Sequence, residues 1–286
     1  MKPQENLVLQ GLSHANRQSL TLIRSKMCLV LSLWALWASS PALGQNTQDY
    51  SPEQFIRDQD TLAYRLASPT EADQQELHPL LIFLHGSGER GTDNKAQLIH
   101  GGERMAQLTD QENAFVLLPQ CPPNKSWHNG TSYIKGDKRH YRYPKSISPN
   151  NQLDLVYAMI EDFVKHHRVD PNRIYIGGLS MGGMGTLAML RRHPNYFAGA
   201  FAICGGAHPK SAKSIKHTPL WLFHGTADQV VLPQYSEKLY KVLKRKKAIV
   251  AYTSYPEVGH DSWTNAFAEP ALFPWLFAQQ KAKRQL

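Results

Sequence analysis

Residues 178–182 read Gly-Leu-Ser-Met-Gly, the pattern Gly-x-Ser-x-Gly. An apolar run precedes the pattern and a segment rich in Ala, Leu and Met follows it, so Ser180 is predicted to lie on a sharp turn between a strand and a helix. Glycines suit such a turn because neighbouring backbone approaches too closely for side chains. A serine hydroxyl raised above a sheet in this way is placed to attack a carbonyl carbon. A glycine-rich packing turn without chemistry is the alternative interpretation.

A serine hydroxyl is a weak nucleophile, so it needs a base, and the base needs a carboxylate to orient it. Two residues downstream of Ser180 have the required types. Asp228 follows the apolar run 220–223, and His260 follows the run 249–252. We therefore predict Ser180 as nucleophile, His260 as base and Asp228 as the orienting residue.

Other acidic residues and histidines in this part of the chain fit these roles less well. His224 ends an apolar run just before a glycine, which is typical of a structural histidine. Asp261 adjoins His260 and points elsewhere on an extended chain, so Glu257 is the fallback for the acidic role. Residues 166–167 are His-His at a predicted helix end, where a cation suits the helix dipole. Without an HExxH pattern nearby, no metal site is predicted there.

A second glycine-rich segment, residues 85–91 (HGSGERG), follows another apolar run. Attack on a carbonyl creates a negatively charged oxygen, and two backbone N–H groups are the usual donors to it. We predict the N–H groups of Ser87 and Met181 as these oxyanion donors. The alternative for Ser87 is an ordinary turn serine.

Apolar runs of strand length alternate with helical patterns along the chain, and several of the runs are apolar on both faces. They are residues 61–66, 80–84, 114–118, 174–176, 197–203, 220–223 and 249–252. Residues 153–164 and 235–243 carry apolar side chains at helical spacing, and residues 180–192 are predicted as a helix that Pro194 stops. This alternation predicts one domain at residues 61–282 with a doubly wound, mostly parallel sheet and helices on both faces. Ligands bind beyond the carboxyl ends of the strands in such sheets.

The N-terminal 44 residues have the pattern of a secretory signal peptide. Basic residues precede a twelve-residue apolar run at 27–38, and small residues suitable for cleavage end at Gly44. The run is too short to span a membrane, so we expect a secreted or periplasmic protein with no stable membrane insertion after cleavage. An uncleaved anchor is the alternative, and translation could start at Met1 or Met27. Residues 45–60 are interpreted as a lead-in to the domain.

Composition and net charge restrict the classes of partner that the protein is expected to bind. The 286 residues are 42% hydrophobic, and the formal charge is +9. Removing residues 1–44 leaves 28 Lys and Arg against 22 Asp and Glu. The densest basic cluster, residues 241–247, fits the solvated end of a helix, so no nucleic-acid partner is expected. Cys121 and Cys204 remain after cleavage, and whether they pair is left open.

Residues 121–148 are long for a loop in a compact domain and follow a predicted strand. We expect this region to line a substrate pocket, with Trp127 and Tyr133 as substrate-binding aromatic residues. Trp263, three residues after His260, is a weaker candidate. A surface insertion without a role in binding is the alternative.

Five segments in this order resemble secreted α/β-hydrolases: HGSGERG, GLSMGGMGT, FAICGG, WLFHGTAD and EVGHDSW. The resemblance is to the group of dienelactone hydrolases, feruloyl and acetyl esterases, polyhydroxybutyrate depolymerases and predicted peptidases, and it covers residues 61–280. It implies the α/β-hydrolase fold and a Ser-His-Asp triad of Ser180, His260 and Asp228, with oxyanion donors at Ser87 and Met181. Dienelactone hydrolases proper have a cysteine nucleophile, and the serine here favours ordinary ester hydrolysis.

The expected function is therefore that of a secreted serine esterase. It cleaves carboxylic esters through an acyl-enzyme intermediate, on aryl or plant polysaccharide-linked substrates, with no cofactor and no metal. A serine peptidase of the same fold and a non-catalytic binding module on that fold are the alternatives. The sequence does not predict the acyl group, the leaving group or the oligomeric state.

Overall fold

Residues 49–69 and 76–281 are described by the structure, which is a computed structural model. The predicted signal peptide at residues 1–44 lies outside the described residues. Within the two described ranges, no helix is both long and apolar enough to cross a membrane.

Eight strands form one sheet, in the spatial order β1-β2-β4-β3-β7-β8-β9-β10. From β4 to β10 all neighbours in this order are parallel, whereas β2 is antiparallel to both β1 and β4. The strands of this sheet are β1 (Ser51–Arg57), β2 (Asp60–Ala67), β3 (His78–Leu84), β4 (Phe115–Pro119), β7 (Val169–Leu179), β8 (Gly199–Ile203), β9 (Leu220–Gly225) and β10 (Val250–Tyr255). A separate hairpin pairs β5 (Thr131–Lys135) with β6 (Lys138–Arg142).

Helices cover the sheet on both faces. They are α1 (Gly102–Ala106), α2 (Leu108–Gln111), α3 (Asn151–His166), α4 (Met181–Arg192), α5 (Ala212–Ile215), α6 (Gln234–Arg245), α7 (Trp263–Phe267) and α8 (Leu272–Phe277). Alternate side chains of the central strands supply two separate cores. Leu80 and Ile82 pack in the core that contains α3, α4 and α6, while Leu81 and Phe83 pack in the core that contains α1, α2 and α8. Burial on both faces explains why these strands read as continuous apolar runs.

The predicted fold class, a doubly wound and mostly parallel α/β sheet in a single domain, is confirmed. Each of the seven predicted strands and three predicted helices has its counterpart. The edge strand β1, the β5–β6 hairpin and the short helices α1, α2, α5, α7 and α8 were not predicted. Residues 51–57, in the expected lead-in, form an edge strand paired with β2, and the β5–β6 hairpin lies inside the expected loop at 121–148.

The segment between this hairpin and α3 is fastened to α4. Arg191 donates hydrogen bonds to the carbonyl oxygens of Pro144 at 2.9 Å and Lys145 at 2.7 Å. Arg192 donates to the carbonyl oxygen of Ser148 at 2.5 Å. These bonds hold the segment against the helix that begins at the Gly-x-Ser-x-Gly turn.

Candidate active site

The carboxyl ends of five neighbouring strands meet along one edge of the sheet. Residue 85 follows β3, Ser180 follows β7, Cys204 follows β8, Asp228 follows β9 and His260 follows β10. The residues with the right types for chemistry therefore share one edge although they are far apart in the sequence, as parallel topology requires.

Ser180 occupies the sharp turn that the sequence predicts. Its backbone has φ 51° and ψ −114°, a left-handed conformation that is strained for a residue with a side chain. The surroundings hold it there, because its N–H donates to the carbonyl oxygen of Ile203 at 2.8 Å. A Cβ atom at Gly178 would lie 2.5 Å from the Gly182 backbone, and one at Gly182 would overlap the Leu84 carbonyl oxygen. Both glycines of the motif are therefore required by close backbone approach.

The structure brings the three predicted side chains into one hydrogen-bonded chain. Ser180 Oγ lies 2.9 Å from His260 Nε2, and His260 Nδ1 lies 2.7 Å from Asp228 Oδ2. A carboxylate only accepts hydrogen bonds, so Nδ1 carries the hydrogen and Nε2 is free to accept from the serine hydroxyl. This is the protonation state that a general base needs.

Asp228 is fully buried and held by its own loop. Its Oδ1 accepts hydrogen bonds from the backbone N–H groups of Val230 at 2.8 Å and Val231 at 2.9 Å. Burial alone would favour the neutral acid, but hydrogen bonds from His224 and His260 outweigh it and hold the pKa of Asp228 well below its usual range. The carboxylate is therefore ionised at neutral pH. The bond from His224 was not expected, because the sequence marks that residue only as the end of a strand.

The predicted oxyanion donors lie at the start of α4 and on the loop after β3. Met181 is the first residue of α4, and N–H groups in the first turn of a helix have no partner within it. Ser87 is exposed on the loop after β3. A Cβ atom at Gly86 would lie 3.7 Å from Ser180 Cβ, so this loop passes directly beside the nucleophile. Both N–H groups thus belong to backbone that adjoins Ser180.

The three predicted substrate-binding aromatic residues have different surroundings. Trp127 is fully buried, with its ring 5.4 Å from that of His85 and its Cβ close to Gly185, so the expectation that it lines an open pocket is wrong. Trp127 instead belongs to the core that contains apolar side chains of β3 and α4. Tyr133 is 45% exposed on the outer hairpin, stacked on His140. Its ring contacts are with His140 and Arg142 of the same hairpin.

Trp263, the weaker candidate, lies beside the predicted base. Its ring is 5.6 Å from that of His260, edge to face, and 5.0 Å from that of His100. His100 Nε2 is in turn 3.6 Å from a carboxylate oxygen of Glu89, which is 92% buried. His100 and Glu89 were not predicted as neighbours of the base, because nothing in the sequence relates either residue to His260.

Cys121 and Cys204 are both buried and are not joined by a disulfide. The Sγ of Cys204 lies within 4.8 Å of ligand-type atoms of Asp228 and His260, the one group in the described residues that could in principle surround a metal ion. Burial raises the pKa of the Cys204 thiol, so it stays protonated and is a poor ligand. A cation here would also compete with the hydrogen bonds that join Ser180, His260 and Asp228.

The sequence model of the phospholipase/carboxylesterase family matches residues 67–273. The chain belongs to this family. Carboxylesterase SOBER1 of Arabidopsis thaliana is 26% identical over 194 residues, which cover 63% of this chain and 82% of that protein. The bifunctional acetylxylan esterase/xylanase XynS20E of Neocallimastix patriciarum is 29% identical over 164 residues, which cover 57% of this chain and 21% of that protein.

The crystal structure of a thermostable esterase resembles the fold with a TM-score of 0.71 and 34% sequence identity, covering 82% of this chain and 64% of that one. The family match and these esterase relatives confirm the predicted α/β-hydrolase esterase group. The protein is accordingly a carboxylic ester hydrolase.

Proposed function

We propose that the protein hydrolyses its esters with Ser180 as nucleophile, His260 as general base and Asp228 as the residue that orients the base. The unbroken hydrogen-bonded chain from Ser180 Oγ through the imidazole to the buried carboxylate carries this proposal. It supplies a nucleophile, an acceptor for the nucleophile's proton and a fixed negative charge beside that acceptor.

The reaction follows from these positions. Ser180 Oγ attacks the carbonyl carbon while His260 Nε2 takes the hydroxyl proton, and the carbonyl oxygen becomes an oxyanion. The N–H groups of Ser87 and Met181 donate to that oxyanion, each worth roughly 3 kcal/mol in the transition state. The imidazolium then gives its proton to the departing alkoxide oxygen, the alcohol leaves, and an acyl group stays on Ser180. Water then attacks the acyl carbon while His260 takes its proton, and the acyl–Oγ bond breaks as the imidazolium returns that proton to Ser180 Oγ, which releases the acid.

Several features of the fold favour these steps. The N-terminal end of α4 points its partial positive charge toward the position of the oxyanion. The ionised Asp228 stabilises the imidazolium that forms on His260, and its two backbone donors keep it from turning away. Because Ser180 is held in a strained backbone conformation, its hydroxyl does not need to reorganise before attack.

For the substrate, we propose esters with an aromatic or sugar ring on one side of the bond. Trp263 supports this proposal because its half-buried ring lies against the base, where part of the substrate must pass. The esterase relative that acts on acetylated xylan supports a polysaccharide-linked ester. Replacing Trp263 with Leu should raise KM for an aryl ester about 2- to 10-fold, the value of one lost ring contact, and leave KM for ethyl acetate unchanged. An equal rise for both esters would count against a ring-binding surface.

We also propose that the mature protein is exported after cleavage near Gly44, so that it works outside the cytoplasm. The basic segment, apolar run and small residues before that position support this. N-terminal sequencing of protein from the extracellular or periplasmic fraction should begin near Gln45. A chain that keeps residues 1–44 in the membrane fraction would instead identify an anchor.

The decisive test of the mechanism compares wild type with Ser180→Ala. The variant should lose on the order of 10⁶-fold in kcat on aryl acetates. A fluorophosphonate should label wild type on Ser180 and leave the folded variant unlabelled. Ser180→Ala with substantial ester hydrolysis, or an active wild type that resists the label, would contradict the proposal. Peptide amides in the same panel distinguish an esterase from a peptidase.

A further inference from the structure

His224, which lies outside the Ser180–His260–Asp228 chain, is tied to three parts of the fold. It stands near the C-terminal end of β9, four residues before Asp228, and no part of it is exposed. Its ring contacts the Asp228 loop and α6, and through Ser236 it reaches the segment after β8. The following inference rests on the proposed function, because it concerns the environment of the proposed base.

The groups around Nε2 of His224 show that this nitrogen carries a hydrogen. Nε2 lies 2.8 Å from the carbonyl oxygen of Val231 and 3.2 Å from Asp228 Oδ2. Carbonyl and ionised carboxylate oxygens accept hydrogen bonds and cannot donate them. Only an N–H group makes both contacts favourable.

The other ring nitrogen faces a hydroxyl whose hydrogen has a different acceptor. Nδ1 lies 2.8 Å from Ser236 Oγ, and Ser236 Oγ donates to the carbonyl oxygen of Gly205, also at 2.8 Å. A serine hydroxyl has one hydrogen. If Nδ1 lacked a hydrogen, either this nitrogen or the Gly205 oxygen would face Oγ with lone pairs opposed, which is costly for buried groups. Hydrogens on both ring nitrogens satisfy every contact.

We infer that His224 is a positioning residue: a buried imidazolium that shares Asp228 Oδ2 with His260, fixes that oxygen, and limits how readily His260 takes up a proton. Asp228 Oδ2 accepts from His260 Nδ1 at 2.7 Å and from His224 Nε2 at 3.2 Å. The two rings therefore lie on either side of one oxygen. A positive charge on the first ring opposes a second positive charge on His260, so the base remains free to accept the serine proton at lower pH.

No other charged group contacts the His224 ring among the described residues. Its other hydrogen-bond partners are neutral, namely Ser236 Oγ on α6 and the carbonyl oxygen of Val231, and Ser254 lies opposite His224 on β10. Around His260 the titratable groups include Asp228, Cys204 and the adjoining Asp261, and His100 with Glu89 lies behind Trp263. The carboxylate that the two histidines share is thus the direct link between them.

The inference is tested by the pH dependence of kcat/KM for wild type, His224→Gln and Ser236→Ala. Glutamine can donate to Asp228 without a charge, so the acid limb of the profile should move to higher pH by about one unit. Ser236→Ala removes the acceptor of the Nδ1 hydrogen, which favours a neutral ring, and should move the limb in the same direction. Tyr235→Phe removes the neighbouring hydroxyl on α6, which bonds the hairpin at Tyr141 instead of His224, and should leave the limb in place.

A second measurement does not depend on turnover. In ¹⁵N-histidine-labelled protein, the resonances lost in His224→Gln should show two protonated ring nitrogens at pH 7. A nitrogen with the chemical shift of an unprotonated imidazole would overturn the inference, as would acid limbs that coincide in all four proteins while only the plateau falls. If His224→Gln does not fold, the acid limb of Ser236→Ala still decides. Activity in Ser180→Ala would instead defeat the proposed mechanism and leave the spectrum unaffected.

Discussion

The neutral, buried His85 should make the stability of the protein depend on pH in a way that one substitution can remove. The residue follows β3 and is 1% exposed. Its Nε2 accepts the Cys121 N–H at 2.9 Å, and Nδ1 lies 2.6 Å from the Gly86 carbonyl oxygen, so Nδ1 carries the single ring hydrogen. Burial lowers the pKa of His85 to about 4. A second proton would have to displace the hydrogen bond from Cys121.

The sign and size of the effect follow from that pKa. In the unfolded chain a histidine takes up its proton near pH 6.5. Below that pH the unfolded state binds more protons than the folded state, so the free energy of unfolding decreases as the pH falls. The decrease ends near pH 4, where the folded form also takes up the proton. Over this window the loss is about 3 kcal/mol, and above pH 6.5 the contribution of His85 is constant.

His85→Gln is the informative perturbation, because the amide oxygen can accept the Cys121 N–H and the side chain does not titrate. At pH 7 the variant should be less stable than wild type by about 1–2 kcal/mol, from imperfect packing and a weaker hydrogen bond. At pH 4.5 wild type has lost about 2–3 kcal/mol that the variant never had to lose, so the difference should vanish or reverse.

Urea unfolding followed by tryptophan fluorescence at pH 7, 5.5 and 4.5 measures this difference. Because the comparison is between two proteins at each pH, the other histidines cancel. A difference that stays constant from pH 7 to 4.5 would refute the argument, since it would mean that His85 binds protons equally in the folded and unfolded states.

Two further predictions concern the loops at the same edge of the sheet. Gly182→Ala should lower the free energy of unfolding by more than about 2 kcal/mol and abolish most of the esterase activity, because a Cβ atom there overlaps the Leu84 carbonyl oxygen. Gly88→Ala is the control, since the added carbon meets open space, and it should change neither quantity. Thermal unfolding and turnover assays measure both. Burial raises the pKa of Cys121 to about 12, and Cys204 is also buried. Both thiols should therefore resist the reagent DTNB at pH 8 in the folded protein and react in urea. Fast reaction of folded protein would contradict their burial, and no reaction in urea would indicate a disulfide.

The sequence predicted the central sheet and the three-residue chain because the physical demands there are local and strong. Residues 80–84 and 220–223 read as strands because burial on both faces leaves no room for polar side chains. The turn at Ser180 requires Gly178 and Gly182, because neighbouring backbone lies too close for a Cβ atom at either position. Given the order of the strands, Asp228 and His260 had to reach the same edge as Ser180.

What the sequence did not reveal depends on contacts between distant residues. β1 is an exposed edge strand, so its residues lack an apolar pattern, and β5 of the hairpin is exposed along its whole length. Trp127 lies in a segment that reads as a long loop. Only its packing against Gly185 reveals that it belongs to the core. The role of His224 depends on Ser236 and Gly205, which join it through hydrogen bonds that no spacing rule predicts.

Strand register, more than loop sequence, sets the distances within the proposed machinery. Ser180 and His260 are 80 positions apart, yet their side chains lie within 2.9 Å. In the register of the parallel strands, Ile203 on β8 lies opposite Phe223 on β9, and His224 on β9 lies opposite Ser254 on β10. Sliding β9 by one residue would move its end by about 3.3 Å and turn its side chains to the other face, which would carry Asp228 away from His260. The packing of both strand faces that fixes this register is therefore as necessary for the chemistry as the three side chains themselves.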